Sequence, residues 1–409
     1  MTPPSRPRVA HATGLAIFAM ALPLAPLFGF LANYLILLLA LLAMGFVDWK
    51  ALWPDRAART LTLGFGAVFG LLAVARVGAA ASPSDIGGIV NFLPFILLAP
   101  LLLTLSRLAG EEGARTLGLA ALAGTALAAS IALVDGLVLG AERAGYLVSD
   151  PIRLSHTAVL FAGIAVVSYP HQRGSWRWLV FAGIGLAALT ATLAGARTAI
   201  VALIALTIIA GALVVPRRRL GIALLALIGA GAALTLVAIL VDAERIEQLP
   251  RLLAAILSGE AIGDESVRIR LALYRAALAI IPEAPLFGHG RAVMDAALAH
   301  YTEDLEIFHS LTHLHNDALQ LSASAGILGA LAYIVALATP IAAVLASGKD
   351  PQKGFRLRFA LVLVAGYGIM GLPDTMIAFE LHMTLYVALS AILVAVPRPA
   401  RTPENARGH

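Results

Sequence analysis

Apolar runs long enough to cross a bilayer recur along most of this 409-residue chain, and they constrain its fold more than any other feature. A membrane-spanning helix needs about 20 predominantly apolar residues. Hydrophobic residues make up 60% of the chain and charged residues only 13%, a balance that no soluble domain of this length would tolerate. The sequence therefore predicts an all-α polytopic membrane protein with about 12 transmembrane helices.

One long polar segment divides the predicted spans into two groups. Transmembrane helices 1–9 are predicted within residues 1–241 and helices 10–12 within 315–397. The segment 242–314 is predicted to be a large extramembrane loop with short helices near 266–281 and 291–301, and 398–409 a polar tail. After two spans before Val47, the predicted spans are 60–80, 86–106, 115–140, 152–169, 176–194, 198–215, 220–241, 315–346, 355–372 and 377–397.

The distribution of Lys and Arg predicts the orientation of the chain. When alternate loops are assigned to opposite sides, most of these residues fall on the side of the two termini, including the run Arg217-Arg218-Arg219. By the positive-inside rule that side is cytoplasmic, so the long loop faces outward. The net charge of +5 therefore reports topology, and no nucleic-acid-binding module is visible. The absence of Cys excludes disulfides, thiolate metal sites and Cys nucleophiles.

Arg197 is an isolated charge between two apolar runs, in the sequence Leu-Ala-Gly-Ala-Arg-Thr-Ala. An Arg placed that deep costs about 2.5–3.5 kcal/mol on insertion scales, so it normally faces a polar cavity or a partner. Its guanidinium suits bidentate phosphate binding. The alternative is that Arg197 extends to the lipid headgroups and marks the end of a span.

A polar cluster containing His313, His315, Asn316 and Asp317 leads directly into a long apolar run. Asn316 and Asp317 can cap the helix that follows. Further along, Gly326 and Gly329 are expected to admit a neighbouring helix. These positions predict an imidazole and an amide at the mouth of a membrane helix.

Proton transfer by His315 is the leading chemistry for this cluster. A metal site would recruit His309, His313 and His315 together with Glu303, Asp304 or Glu306, but the spacing matches no closed zinc site. A Ser–His hydrolase would need a Gly-x-Ser-x-Gly elbow, which the sequence lacks.

The long loop contains an amphipathic helix and a glycine-rich turn. The helix places Arg268 and Arg275 on one face and an apolar stripe on another, as expected for a helix lying at a membrane; the stripe is Ile269, Leu273, Ala276 and Ile280. Arg270 is not explained by that pattern. In the following turn, Gly288 and Gly290 flank His289 and allow positive φ angles.

Three separated motifs resemble the O-antigen ligase and polymerase superfamily of bacterial membrane glycosyltransferases. They are His315-Asn316 followed by Gly326-x-x-Gly329, then Arg270 with Tyr274 and the run Pro285-Leu-Phe-Gly-His-Gly290, and Arg197 in Gly-Ala-Arg-Thr. The chain departs from the family pattern at Ser324, where many members carry Glu, and at Ala196, where Ser is common. Asp374, in Gly-Leu-Pro-Asp-Thr, loosely matches a membrane-boundary Asp of the ligases, although it could simply cap the last helix.

The resemblance implies a multi-pass enzyme of the bacterial inner membrane, with an active site facing the periplasm and both termini in the cytoplasm. Its donor would be an O-antigen glycan on undecaprenyl pyrophosphate and its acceptor the lipid A core. His315 would accept or orient the hydroxyl proton, with Asn316 or Asp317 fixing its tautomer, and Arg197 and Arg270 would stabilise the leaving diphosphate. Further substrate contacts are expected from Arg291, His313, Asn316 and Asp374. Neither nucleotide, metal nor other cofactor is implied, and direct displacement would invert the anomeric centre.

Other functions remain compatible with the sequence. An O-antigen polymerase or a protein O-oligosaccharyltransferase would use the same donor with a different acceptor. A transporter would use midmembrane charges and broken helices, but the two halves of the chain show no obvious repeat. A structural scaffold would leave Arg197 unexplained. Membrane lipids surround the protein in every case.

Overall fold

The computed structural model describes residues 44–106, 113–148, 150–215, 265–300, 311–348 and 350–395, with scattered positions between 34 and 42. Regular structure in these ranges is helical, without strands. The longer helices are α1 Arg56–Gly78, α2 Pro94–Ser106, α3 Gly113–Leu133, α4 Pro151–Val167, α5 Ala182–Leu193, α6 Arg197–Val214, α7 Glu265–Ile280, α8 Val293–Ala299, α9 Asp317–Ala346, α10 Lys353–Met370 and α11 Glu380–Ala395. Short helical turns occupy Met44–Phe46, Trp49–Leu52, Pro83–Ile86, Gly87–Phe92, Val134–Val138, Tyr169–His171, Trp176–Leu179, Ile281–Glu283 and Gly290–Ala292.

Several of these helices can span a membrane. Within the described ranges, 6 are long and apolar enough: Arg56–Gly78, Pro83–Leu103, Gly113–Val138, Trp176–Leu193, Arg197–Val214 and Asp317–Ala346. Pro151–Val167 and Glu380–Ala395 are shorter apolar helices. An all-helical architecture with 6 candidate membrane spans is thus confirmed for the described ranges, whereas the total of about 12 spans and the external position of 242–314 stay predictions. The first predicted span, the span 220–241, the start of the long loop and the tail 398–409 lie outside the described residues.

Close helix packing relies on small residues at the contacts. Helix α9 packs along α1, and a Cβ placed on Gly64 would lie 2.6 Å from Thr339 Cγ2, so only glycine permits this approach. Helix α4 lies at the centre of the bundle, in contact with α3, α5, α6 and α10, and nearly all of its side chains are buried. A residue on α4 is therefore held firmly in place.

Helix α9 is kinked at Gly326, where φ is 60° and ψ is −148°. The backbone groups released by the kink bond to the preceding loop: the His289 amide donates to the Ala323 carbonyl at 2.9 Å, and the Ile327 amide donates to the Pro285 carbonyl at 2.8 Å. A Cβ on Gly326 would lie 2.5 Å from the Leu286 backbone. The predicted use of this glycine is therefore wrong, because a loop approaches it instead of a helix.

The turn that contains Gly288 and Gly290 packs against the kink and needs glycine for the same steric reason. Gly288 and Gly290 have φ angles of 68° and 60°, which confirms the predicted positive values. A Cβ on Gly288 would lie 2.6 Å from the Gly326 amide nitrogen. At Gly329 a Cβ would collide with the Leu321 carbonyl of the same helix, a consequence of the kink.

Helix α7 is amphipathic, as the sequence predicts. Leu273, Ala276 and Ile280 are buried in a small apolar cluster separate from the main core, while Arg268 and Arg275 are exposed. His289 fastens the end of this helix, since its Nε2 lies 2.8 Å from the Ile280 carbonyl. The other arginine of α7, Arg270, extends toward the loop between α10 and α11.

Candidate functional site

Asp374 is the centre of the candidate site, in the loop between α10 and α11. It is only 7% exposed. Its Oδ1 accepts the Thr375 amide hydrogen at 2.8 Å and lies 3.5 Å from both His313 Nε2 and His315 Nδ1. The rings of His313 and His315 are 4.1 Å apart between centroids. We refer to His313, His315 and Asp374 together as the Asp374 cluster. The sequence predicts each of these residues separately as a site residue, and in the structure they lie next to one another.

The charges in this cluster are set by burial and proximity. Burial alone would raise the pKa of Asp374, but the adjacent imidazoles of His313 and His315 outweigh it and hold that pKa well below the usual range. Burial lowers the pKa of His315, against the opposing effect of the Asp374 carboxylate. At neutral pH Asp374 is therefore ionised and His315 neutral. A neutral His315 with its proton on Nδ1, facing the carboxylate, presents an Nε2 lone pair that can accept a proton.

The backbone at His315 is strained. With φ at 50°, His315 is the one non-glycine residue of positive φ in the described part of the chain. Such conformations cost about 1–3 kcal/mol and persist only where the surroundings enforce them. The Tyr274 hydroxyl donates to the His315 carbonyl at 2.9 Å, and Asn316 begins α9 by accepting the Leu319 amide hydrogen at 2.9 Å. Contacts on both sides thus hold the imidazole in its position.

Asn316 and Asp317 do not contact the His315 ring in the way that the sequence suggests. The Asn316 amide donates to the Leu372 carbonyl at 2.9 Å and, as predicted, caps α9. Asp317 accepts three backbone hydrogens, from Met376, Ile377 and Ala378, each at 2.9 Å. The prediction that one of them fixes the His315 tautomer is therefore wrong, because Asp374 is the group beside Nδ1.

Arg270 reaches the cluster from α7. Its Nε donates to the Pro373 carbonyl at 3.1 Å, and its Nη1 donates to Ser266 Oγ at 2.7 Å. A guanidinium has five N–H donors, so these bonds orient it without exhausting its capacity. Arg270 is therefore bonded to the residue before Asp374 and acts electrostatically on His315, while its role toward a diphosphate stays a prediction.

Tyr274 is a site residue that the sequence places only in a motif. It lies one turn after Arg270 on α7, and its hydroxyl contacts the Leu372 carbonyl at 2.8 Å as well as the His315 carbonyl. Burial raises the pKa of Tyr274, which keeps it protonated. The spacing of four residues puts Tyr274 and Arg270 on one helix face and is the signal that could have found it.

Arg197 begins α6, and the start of that helix borders the Asp374 cluster through one buried histidine. Thr198 Oγ1 lies 3.5 Å from His156 Nε2, and His156 Nδ1 lies 3.9 Å from Asp374 Oδ2. The N-terminus of α6, which is the positive end of its dipole, therefore lies near the same region. His156 was missed as a site residue. An ionisable residue in the apolar run 152–169 is the signal that could have found it.

Arg291 belongs to a second group of charges. It interacts with Arg76, at the end of α1, and with Asp85. The turn carrying Arg291 rests on the end of α1, since a Cβ on Gly290 would lie 3.2 Å from the Ala79 side chain. Arg291 therefore shares a surface with Arg76, and its role toward a diphosphate stays a prediction.

The Asp374 cluster has the donor atoms of a metal site. One atom each from His313, His315 and Asp374 lie within 4.8 Å of one another, so the three could hold a metal ion. Sequence spacing did not indicate this set, because Asp374 comes from a distant loop. The alternative ligands His309, Glu303, Asp304 and Glu306 lie outside the described residues.

A family model described as O-antigen ligase matches residues 182–334. A search of curated proteins finds no significant match. The matched range runs from α5 into α9 and contains Arg197, Arg270 and His315, whereas His156 and Asp374 lie outside it. The resemblance seen in the motifs is confirmed over that part of the chain.

Proposed function

We propose that this chain, whose residues 182–334 match a family model described as O-antigen ligase, is a membrane glycosyltransferase that moves an O-antigen glycan from undecaprenyl pyrophosphate to the lipid A core. The observation that carries the proposal is the neutral His315 held against the ionised Asp374, with Arg270 bonded to the adjoining Pro373 carbonyl. A base and a fixed cation at one place are what transfer from a diphosphate requires.

The proposed reaction is a single displacement. An acceptor hydroxyl attacks the anomeric carbon, a new C–O bond forms, and the bond to the pyrophosphate oxygen breaks. Nε2 of His315 takes the hydroxyl proton, and the electron pair leaves with the diphosphate. Attack from the face opposite the leaving group inverts the anomeric centre. The diphosphate supplies the driving force, so the proposal requires neither nucleotide nor metal.

Fixed positive charge stabilises the departing diphosphate. Arg270 is held by two hydrogen bonds next to the Asp374 cluster. Arg197 stands at the first position of α6, where the helix dipole adds positive potential. Arg291 would contact the pyrophosphate or an acceptor phosphate from its place beside Arg76. His313, Asn316 and Asp374 would orient the acceptor and His315.

The proposed orientation rests on the Lys and Arg distribution described above, and the proposed membrane on the resemblance to the ligase family. We place the protein in the bacterial inner membrane with both termini in the cytoplasm and the Asp374 cluster facing the periplasm. A polyprenyl donor would reach the site laterally from the bilayer.

Transfer by the purified protein tests the proposal. The assay contains a polyprenyl-pyrophosphate oligosaccharide, lipid A core, a chelator and no nucleotide. We expect product from the wild type and a loss of about 10³-fold in His315→Ala, since general-base catalysis contributes on the order of 10²–10⁴-fold. Arg270→Ala should be similarly impaired. His300→Ala is the matched control, because it removes an exposed imidazole paired with Glu283 away from the cluster.

The outcomes separate the alternatives. Elongation of the polyprenyl-linked glycan without transfer to core would identify a polymerase, and transfer to a protein hydroxyl an O-oligosaccharyltransferase. Loss of product on chelation would assign the three donor atoms of the cluster to a metal. Absence of covalent change with every acceptor would refute the enzyme and favour transport.

A further inference from the structure

We propose that His156 is a positioning residue, which orients the Asp374 carboxylate and, through Thr198, connects the cluster to the start of the Arg197 helix. The inference rests on the proposed glycosyl transfer and adds a residue outside the matched family range. His156 lies on α4, far in sequence from every motif of the site, and its side chain is completely buried.

The two oxygens of Asp374 face different partners. Oδ1 receives the Thr375 amide hydrogen and faces His313 and His315. Oδ2 lies 3.9 Å from His156 Nδ1. At that distance the contact is electrostatic, being longer than a hydrogen bond. A carboxylate held at one oxygen can still rotate about its bond to the chain. His156 at the second oxygen limits that rotation and so determines where Oδ1 meets the two imidazoles.

Thr198 favours the tautomer of His156 that can orient the Asp374 carboxylate. Its hydroxyl lies 3.5 Å from Nε2 and can donate a hydrogen to it. The imidazole proton then resides on Nδ1 and is directed toward Asp374. Because Thr198 follows Arg197 in α6, the same contact sets the distance between the helix carrying that arginine and the cluster.

The neighbours of His156 show that its polarity is not a local requirement of α4. Ser155 Oγ donates to the Pro151 carbonyl at 2.7 Å, and Thr157 Oγ1 donates to the Arg153 carbonyl at 2.9 Å, both within the helix. The His156 ring instead extends to other elements. Burying an imidazole away from water is expensive unless its nitrogens have partners. An apolar residue would serve packing better at this position.

Substitutions at His156 separate positioning from packing. Asn places an amide donor where Nδ1 stands and should retain activity to within about threefold. Leu fills comparable volume without a donor, so we expect kcat to fall about tenfold or more with KM for the donor unchanged. Thr198→Val should lower kcat in the same direction by less. His382→Leu is the control, since it removes a buried imidazole whose ring centroid lies 6.4 Å from that of His156.

A second measurement does not depend on turnover. Labelling of His315 by diethyl pyrocarbonate, followed by mass spectrometry, should be about threefold faster in His156→Leu, because a loosened Asp374 releases the imidazole. His156→Asn and His382→Leu should label at the wild-type rate. A wild type without transfer activity would refute the proposed function alone, and the labelling rates would still decide the role of His156. Unchanged labelling in His156→Leu, equal losses in Asn and Leu, or a change in KM alone would overturn the inference.

Discussion

Asp317 and Asp374 are two buried carboxylates around the same loop between α10 and α11, and their partners differ in kind. Asp317 accepts three backbone hydrogens at 2.9 Å. Asp374 accepts one backbone hydrogen and otherwise faces three imidazoles at 3.5 to 3.9 Å. Backbone amides cannot titrate or move independently, whereas imidazoles do both. The first carboxylate fastens the loop to α9, and the second arranges groups that can exchange protons.

The contrast shows how a buried charge can be assigned to structure or to function. Three short bonds from backbone donors, two to Oδ1 and one to Oδ2, hold the Asp317 carboxylate in a fixed position. The longer contacts of Asp374 with imidazole side chains satisfy its carboxylate incompletely. The surrounding fold must therefore stabilise the position of Asp374. Each of the following substitutions tests one side of this comparison.

The largest effect is expected from Asp317→Ala. The substitution leaves three N–H groups, two of them buried, without an acceptor, so the free energy of unfolding should fall by about 3 kcal/mol or more. Thermal unfolding in detergent measures it. Asp317→Asn retains one oxygen acceptor, so its free energy of unfolding should lie between those of the wild type and Asp317→Ala. If Asp317→Ala unfolds like the wild type, the loop is fastened by other contacts and the structural role of Asp317 is refuted.

Asp374→Asn should have the opposite profile. We expect transfer activity to fall by about 10²-fold, because His315 loses the carboxylate that orients it, while thermal stability stays near that of the wild type. Parallel assays of transfer and unfolding on the two Asp variants provide the measurement. A loss of stability in Asp374→Asn as large as in Asp317→Ala would remove the distinction between the two carboxylates.

Arg270→Lys should reduce kcat by about tenfold while preserving the charge. A lysine ammonium cannot reproduce the fork that bonds both the Pro373 carbonyl and Ser266. Steady-state kinetics with the polyprenyl donor measure the effect. Arg275→Lys is the matched control, since Arg275 lies exposed on the same helix. Equal behaviour of the two variants would show that Arg270 contributes charge without geometry.

The smallest expected effect is a displaced pH profile. In the proposed reaction His315 accepts a proton and must be neutral to do so, and burial lowers its pKa from 6.5. Activity should therefore be constant above pH 6.5 and decline only at lower pH. The Asp374 carboxylate raises the pKa of His315, so the residual activity of Asp374→Asn should persist to lower pH still. A profile of kcat/KM against pH for both proteins tests the direction. A shift of the Asp374→Asn profile to higher pH would contradict it.

The helical framework was predictable because hydropathy is a local property. The helices Arg56–Gly78 and Arg197–Val214 lie within a few residues of the predicted spans 60–80 and 198–215. The kink at Gly326 could not be predicted in the same way. It depends on a loop that supplies the Pro285 carbonyl and the His289 amide, and nothing in the sequence around Gly326 specifies that partner.

The candidate site was predictable only where motifs are contiguous. The capping role of Asn316 and the choice of Arg270 as a site residue could both be predicted from neighbouring residues in the sequence. The sequence context of Asp374 matches the family only loosely and also suits a helix cap. Helices α9 and α10 separate Asp374 from His315, and only the fold brings the two together. His156 illustrates the same limit, since its partners Thr198 and Asp374 come from two other segments.

Because His315 has a positive φ, selection for protein abundance and selection for activity should favour different residues at this position. Glycine adopts this conformation without steric penalty, and asparagine tolerates it better than most residues. Variants with Gly or Asn at 315 should accumulate to higher levels than the parent while losing the proton acceptor. A mutational scan scored for abundance would rank them as improved, and one scored for glycan transfer as inactive. Substitutions in the apolar core should lower both scores together, so the divergence between the two scores would mark His315 without knowledge of the substrate.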